Sequence, residues 1–228
     1  MIDRRSVVAA VAALSLGFGT VCTIARAQDA QDKQTQDKNP AAQADKSKTG
    51  DSSQNGGASD AELQQKMETQ EKTKSDLLAN FNDADFVKVA SMANQDEIDA
   101  AQAAIAKTTN DDVKNFAQHM VDDHTKAGTE LKALAEGKNW TVSDQGDVKH
   151  MRALKEIQKL NGADFDKAYA TTQVADHQDA IQLFKLAADK ASDPDLKAFA
   201  SKEIPTFEMH LKMAQDLEQK TAAVTMAR

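Results

Sequence analysis

Cysteine is nearly missing from this sequence: of 228 residues only Cys22 carries a thiol. It falls inside an apolar N-terminal run, so the rest of the chain has no thiol for a disulfide staple or a thiolate metal site. Aromatic residues make up 4%, with one Trp and one Tyr, and no stripe of clustered Lys and Arg accompanies them. Nucleic-acid binding is thereby excluded, since it needs both a basic footprint and stacking platforms. From Gln28 to Glu62 there is no Val, Ile, Leu, Met or aromatic residue. Such a stretch buries too little surface to offset its ordering entropy and reads as a disordered polar linker. Catalytic signatures are missing too: no Gly-rich phosphate loop, no Gly-x-Ser-x-Gly elbow and no His-Glu-x-x-His run occurs.

What is present begins with an export signal. Arg4 and Arg5 precede an apolar run from Val7 to Ile24, which closes on Ala25-Arg26-Ala27, a small-x-small cleavage pattern. Residues 1–27 are read as a signal peptide rather than a membrane anchor, because the run is short and ends at a processing site. Arg4-Arg5-Ser6-Val7-Val8 also weakly resembles a twin-arginine export signal. Gly19-Thr20-Val21 before Cys22 lacks the pattern of a lipoprotein cleavage box. Removing residues 1–27, with three arginines and one aspartate, moves the formal net charge from −8 to −10. The mature chain is acidic and carries no integral span, so a periplasmic or secreted location in the cell envelope is expected.

Residues 63–81 show partial helical spacing through Leu63, Met67, Leu77, Leu78 and Phe81, which predicts a loosely attached helix. Strong periodicity starts after Asn82-Asp83 and sets the domain at 82–222, followed by a short tail, 223–228. Phe86, Val89, Ala90, Ala93, Glu97, Ala101 and Ala104 mark the inward face of a first long helix. After Thr109-Asn110-Asp111, a second carries Val113, Phe116, Met120, His124, Ala127, Leu131 and Leu134. Residues 138–161 form a crossover with a short amphipathic helix, Val148 to Leu160. A third long helix then carries Phe165, Tyr169, Thr172, His177, Ile181, Phe184 and Ala188. A fourth opens at Pro194 with Leu196, Phe199, Glu203, Phe207, His210, Ala214 and Leu217. Pro205 inside it predicts a kink or an unpaired carbonyl one turn earlier, next to Glu203.

An internal repeat organises these helices. Ala84-Asp85-Phe86 returns as Ala163-Asp164-Phe165, and Asp112-Val113-Lys114-Asn115-Phe116-Ala117 as Asp195-Leu196-Lys197-Ala198-Phe199-Ala200. The fold expected is all-α: an antiparallel, ferritin-like four-helix bundle built from two similar hairpins with a crossover helix.

Within that bundle, polar residues interrupt the inward stripes. At about 1.5 Å per residue, Glu97 and His124 sit roughly 16 and 21 Å from the first hairpin turn, and His177 and His210 roughly 21 and 25 Å from the second. All four side chains then converge near mid-bundle, one from each helix. An acid and three imidazoles make a ligand set for a divalent transition metal. The alternative is a structural polar layer, in which Asp123 or Asp176 hydrogen-bonds the neighbouring histidines. Met120 and Met213 lie about one turn from His124 and His210, which would suit copper, although methionine mainly fills cores. The Glu-x-x-His pairs of di-iron bundles are missing: Val121 and Phe207 stand three residues before His124 and His210.

Phe116-Ala117-Gln118-His119-Met120-Val121-Asp122-Asp123-His124-Thr125-Lys126-Ala127, with Asp176-His177-Gln178 and His210-Leu211, resembles the bacterial domain-of-unknown-function 4142 family. The resemblance covers roughly residues 83–220. It implies an envelope location and a ferritin-like bundle, and it implies no activity. Members of the family often carry an outer-membrane label, to which this sequence adds no alternating strands and no lipid attachment site. Two readings follow: a non-enzymatic envelope or stress-associated module acting through a protein partner or self-association, and a metal-binding protein using Glu97, His124, His177 and His210. The export reading is checked by mass spectrometry of the protein recovered from the cell envelope: a mature N-terminus at Gln28 is expected, and a chain retaining Met1 would refute it.

Overall fold

The computed structural model describes residues 59–226, and the side chains of residues 59–223. The expected signal peptide, 1–27, and nearly all of the expected linker, 28–62, lie outside the described residues. Six helices account for most of the remainder: α1 (Asp60–Ala79), α2 (Asp83–Lys107), α3 (Asp111–Ala135), α4 (Val148–Ile157), α5 (Gly162–Lys190) and α6 (Pro194–Met226). Among the described residues there is no strand, and the chain is all-α as expected.

Most helices begin at a side chain that satisfies their orphan amides. Ser59 and Glu62 form a reciprocal capping box at α1, the Ser59 N–H donating to Glu62 Oε2 at 2.7 Å. Asn82 Oδ1 accepts from the Asp85 N–H at 2.8 Å, and Asn110 Oδ1 from the Asp112 N–H at 2.9 Å. Asp193 Oδ1 accepts from the N–H groups of Asp195 and Leu196, both at 3.0 Å, and Pro194 occupies the first helical position. α6 continues past Pro205 to Met226, although that residue has no N–H for the Ser201 carbonyl. The first part of the expected tail is therefore helical.

α2 and α3 form one helical hairpin and α5 and α6 the other, and the hairpins meet through α2 against α5 and α3 against α6. Each turn is held by an acid of the other hairpin. Asp83 accepts from the N–H groups of Ser192 and Asp193 at 3.0 and 2.8 Å, and Asp166 accepts from the Thr108 hydroxyl at 2.6 Å.

The apolar interior is divided into two clusters. One joins Phe86 and Leu131 to Phe184, Leu196, Phe199 and Phe207; the other joins Val113, Phe116 and Met120 to Phe165, Tyr169 and Leu217. Phe86, at the start of α2, thus shares a core with the end of α3, the end of α5 and the start of α6. Neighbouring long helices consequently run antiparallel. Between the clusters lie Glu97, His124, Gln173, His177 and His210, all buried.

The helix expected within 63–81 runs from Asp60 to Ala79, and it is docked on α2 and α4. Leu77 is 1% exposed and Gln70 is buried, its Oε1 accepting from the Val148 N–H at 3.0 Å. This second covering layer explains two departures from the expected stripe of α2. Ala93 is exposed, while Val87, Ser91 and Met92 are buried on the face turned toward α1 and the crossover. Ser91 Oγ accepts from the Ser143 N–H at 2.8 Å, and Gly146 passes so close that a Cβ there would stand 2.1 Å from Asp96 Oδ1. On α5, Thr172 is half-buried and Gln173 takes the inward place.

The crossover helix is fastened by a charged cluster. Asp147 caps α4, its own N–H donating to both Asp96 carboxylate oxygens at 3.0 and 3.1 Å, and its carboxylate pairs with Lys74 at 3.1 Å. His150 stands within 3.4 Å of Asp176, 3.6 Å of Asp147 and 3.7 Å of Asp96. Burial acts to lower its pKa, but the close carboxylates of Asp147, Asp176 and Asp96 raise it to about 10. The folded value lies above the unfolded one of about 6.5. The stabilisation is thus complete below pH 6.5 and is lost as pH rises through about 10. Chemical denaturation of His150→Gln against wild type should show a stability deficit that is largest at pH 5.5–6.5 and shrinks toward pH 10. A deficit that does not vary with pH would contradict this.

Candidate metal centre

His124 on α3, His177 on α5 and His210 on α6 project into the polar layer between the two apolar clusters, with exposures of 4%, 1% and 0%. One ring nitrogen from each lies within 4.8 Å of the others. Their ring centroids are 5.3–5.7 Å apart, and Phe207 stacks on His124 at 5.8 Å.

Oxygen acceptors on the outward side of each ring fix where its proton sits. The His177 Nδ1–H donates to the Gln173 carbonyl at 2.9 Å, one turn back on α5. The His124 Nδ1–H donates to Asn94 Oδ1 at 3.2 Å, and the His210 Nε2–H to Asp123 Oδ2 at 2.9 Å. Asn94 is held by close packing against α3, since a Cβ on Gly128 would meet its Nδ2 at 2.7 Å. The remaining nitrogens, His124 Nε2, His177 Nε2 and His210 Nδ1, therefore turn lone pairs inward. His177 Nε2 and His210 Nδ1 are 3.3 Å apart with no proton to share, and His124 Nε2 has no partner at all. Leaving such a buried group unpaired costs about 1–3 kcal/mol. A cation among the three nitrogens satisfies all of them at once. An imidazole whose other N–H is held by a carbonyl or carboxylate is the usual form of a metal-bound histidine.

The protonation states agree with this geometry. Burial lowers all three histidines, His124 well below its ordinary value and further through the neighbouring His177 and His210. Burial likewise takes His210 down to about 4, although the hydrogen bond to Asp123 works against it. All three are neutral at pH 7, as ligation requires.

Glu97, expected as the fourth ligand, is placed differently. Its Oε2 accepts from the Gln173 amide at 2.7 Å, and its Oε1 lies 3.9 Å from His177 Nδ1, on the side of the ring facing away from the lone-pair nitrogen. Burial and the charge of Asp176 raise its pKa to about 8, so it is protonated at neutral pH. Glu203, beside Pro205, is buried outside the histidine group. Of the two aspartates expected as partners, Asp123 holds His210 while Asp176 faces His150 rather than His177.

The sequence reading did not find the supporting residues Asn94 and Gln173. Asn94 lies off the inward stripe, and Gln173 acts through its backbone carbonyl, which no residue type encodes. It also passed over His119. That residue groups with Asp123 and His210, its Nε2 standing 3.3 Å from Asp123 Oδ2. The i,i+4 spacing of His119 and Asp123 on one helix was the available signal.

Imidazole 15N spectra of the metal-free protein at pH 7 should show three neutral rings. His124 and His177 are expected as Nδ1–H tautomers, with His210 protonating near pH 4. These folded values lie below the unfolded value of about 6.5, so the histidines' share of stability is complete above that pH and declines as pH falls toward 4. A ring of the trio charged at pH 7 would exclude the proposed tautomers.

Comparison with known proteins adds fold and family. No curated protein matches the chain. Among solved structures, a chain described as "CopM in the Cu(II)-bound form" matches with a TM-score of 0.50 and 19% identity, covering 61% of this chain and 97% of that one. At this identity the likeness is one of helical fold. Residues 64–217, well over half of the chain, match the family described as Domain of unknown function (DUF4142), and this protein belongs to that family.

Proposed function

We propose that this protein is a non-enzymatic metal-binding protein of the cell envelope, holding one divalent transition-metal ion on His124, His177 and His210. One observation carries the reading: three neutral imidazoles turn inward lone pairs onto one buried point, each ring fixed from behind by an oxygen acceptor. Three imidazole nitrogens suit copper, zinc or nickel and are a poor match for magnesium or calcium, which take oxygen. Copper is favoured. Met120, fully buried one turn from His124, supplies the soft thioether that copper accepts, and a solved protein of similar fold is Cu(II)-bound. We place Glu97 behind the ligands, where its protonated carboxyl helps position His177.

The same reading takes residues 82–222 as a ferritin-like four-helix bundle, with α4 as crossover and α1 as an added covering helix. Two hairpins joined by one long connection support that assignment. We take residues 1–27 as the export signal and the following polar segment as a linker. No helix among the described residues is long and apolar enough to cross a membrane.

Mature protein purified without chelators or a histidine tag should take up one Cu(II) or Zn(II) per chain. A variant with His124, His177 and His210 all changed to Ala should take up none while keeping its helical circular dichroism. Asn94→Ala, which frees the His124 ring, should weaken binding by about 10- to 100-fold. Glu97→Gln should keep the stoichiometry. Wild-type protein that refuses added copper, zinc and iron would overturn the proposal.

A further inference from the structure

The buried centre has a second group of donors at its edge. His119 and Asp123 lie one turn apart on α3, their side chains 38% and 32% exposed, and together with His210 they bring three donor atoms within 4.8 Å of one another. His119 Nε2 makes no hydrogen bond. The ring of His210 is common to both groups: its Nδ1 faces His177 Nε2 at 3.3 Å, and its Nε2 faces Asp123 Oδ2 at 2.9 Å. One imidazole thus presents a nitrogen to the buried trio and the other to a half-exposed pair.

We propose that His119, Asp123 and His210 Nε2 form an outer capture subsite for the same divalent cation, which passes inward to the tri-histidine centre by exchanging the two nitrogens of His210. This rests on the metal-binding reading above. A neutral imidazole carries one ring proton and one lone pair, so His210 can serve only one subsite at a time. With the ion outside, on Nε2, the ring proton is on Nδ1 and is donated to His177 Nε2. With the ion inside, on Nδ1, the proton is on Nε2 and is donated to the Asp123 carboxylate. An acceptor waits on each side, so the proton has a partner in both states and the net charge of the ring is unchanged. The outer pair sits on half-exposed side chains, with His119 Nε2 itself covered beside Asp123, so its carboxylate and imidazole receive the cation and replace part of its water shell before it reaches the enclosed site.

The test is stopped-flow mixing of metal-free, full mature chain with Cu(II), following the copper–imidazole absorption. His119→Ala leaves the buried trio and its supporting acceptors intact. It should load about tenfold or more slowly, yet reach the same one-ion end point with the same affinity. A variant with His124→Ala and His177→Ala should still bind one Cu(II), more weakly, through the outer subsite, and adding His119→Ala to it should abolish that binding. Equal loading rates for wild type and His119→Ala would overturn the capture step while leaving the buried centre in place. Two ions bound at once per wild-type chain would overturn the sharing of His210. Wild type that binds no Cu(II) would remove the metal centre itself, and this proposal with it.

Discussion

Three neutral imidazoles facing one another in the middle of a helical interior are the constraint around which the rest is arranged. Removing an imidazole from water is costly unless its polar atoms find partners. Here the outward nitrogens find Asn94, Asp123 and the Gln173 carbonyl, and the inward nitrogens find no donor. The apolar core is accordingly split, with phenylalanines 86, 184, 199 and 207 on one side and Phe116, Phe165 and Tyr169 on the other. Those two clusters supply the burial that holds the helices together and fix the rings that would otherwise rotate toward water. The polar layer is in this sense supported from both ends.

The site is asymmetric although the frame is duplicated. Carried along the repeat that relates Asp112 to Asp195, His124 corresponds to Phe207 and His210 to Ala127. His124 and Phe207 lie near-parallel with ring centroids 5.8 Å apart, so the two copies of one position meet as an imidazole and a phenyl ring. The repeat thus runs through helices of 25, 25, 29 and 33 residues, and the inward positions that differ between its copies leave a one-sided donor set. The added helix α1 and the crossover do not reach this layer with ligands. They pack behind it, Gln70 against Met92 and Asp147 against Asp96 on α2, and His150 against Asp176 on α5.

The all-helical class, the two hairpins and the near-level placement of His124, His177 and His210 were legible in the sequence, because helical period and rise convert spacing directly into face and height. Which way each ring points was not legible. Glu97 sits at the right height and on the inward face, but the Gln173 amide ties its carboxylate behind His177, a rotamer choice that depends on a residue of another helix. The burial of Val87 and Met92 was equally out of reach, since it depends on α1 covering a face that an isolated four-helix pattern would leave to water.

The sequence by itself therefore determined the long helices, most of their inward residues and the axial level of the candidate ligands, all of which follow from local periodicity along one chain. Only the tertiary structure decided which nitrogen of each histidine carries the proton, which acid stands behind the histidines and that His119 and Asp123 both lie beside His210. Those outcomes depend on hydrogen-bond partners brought together from separate helices, and no pattern along the chain specifies them.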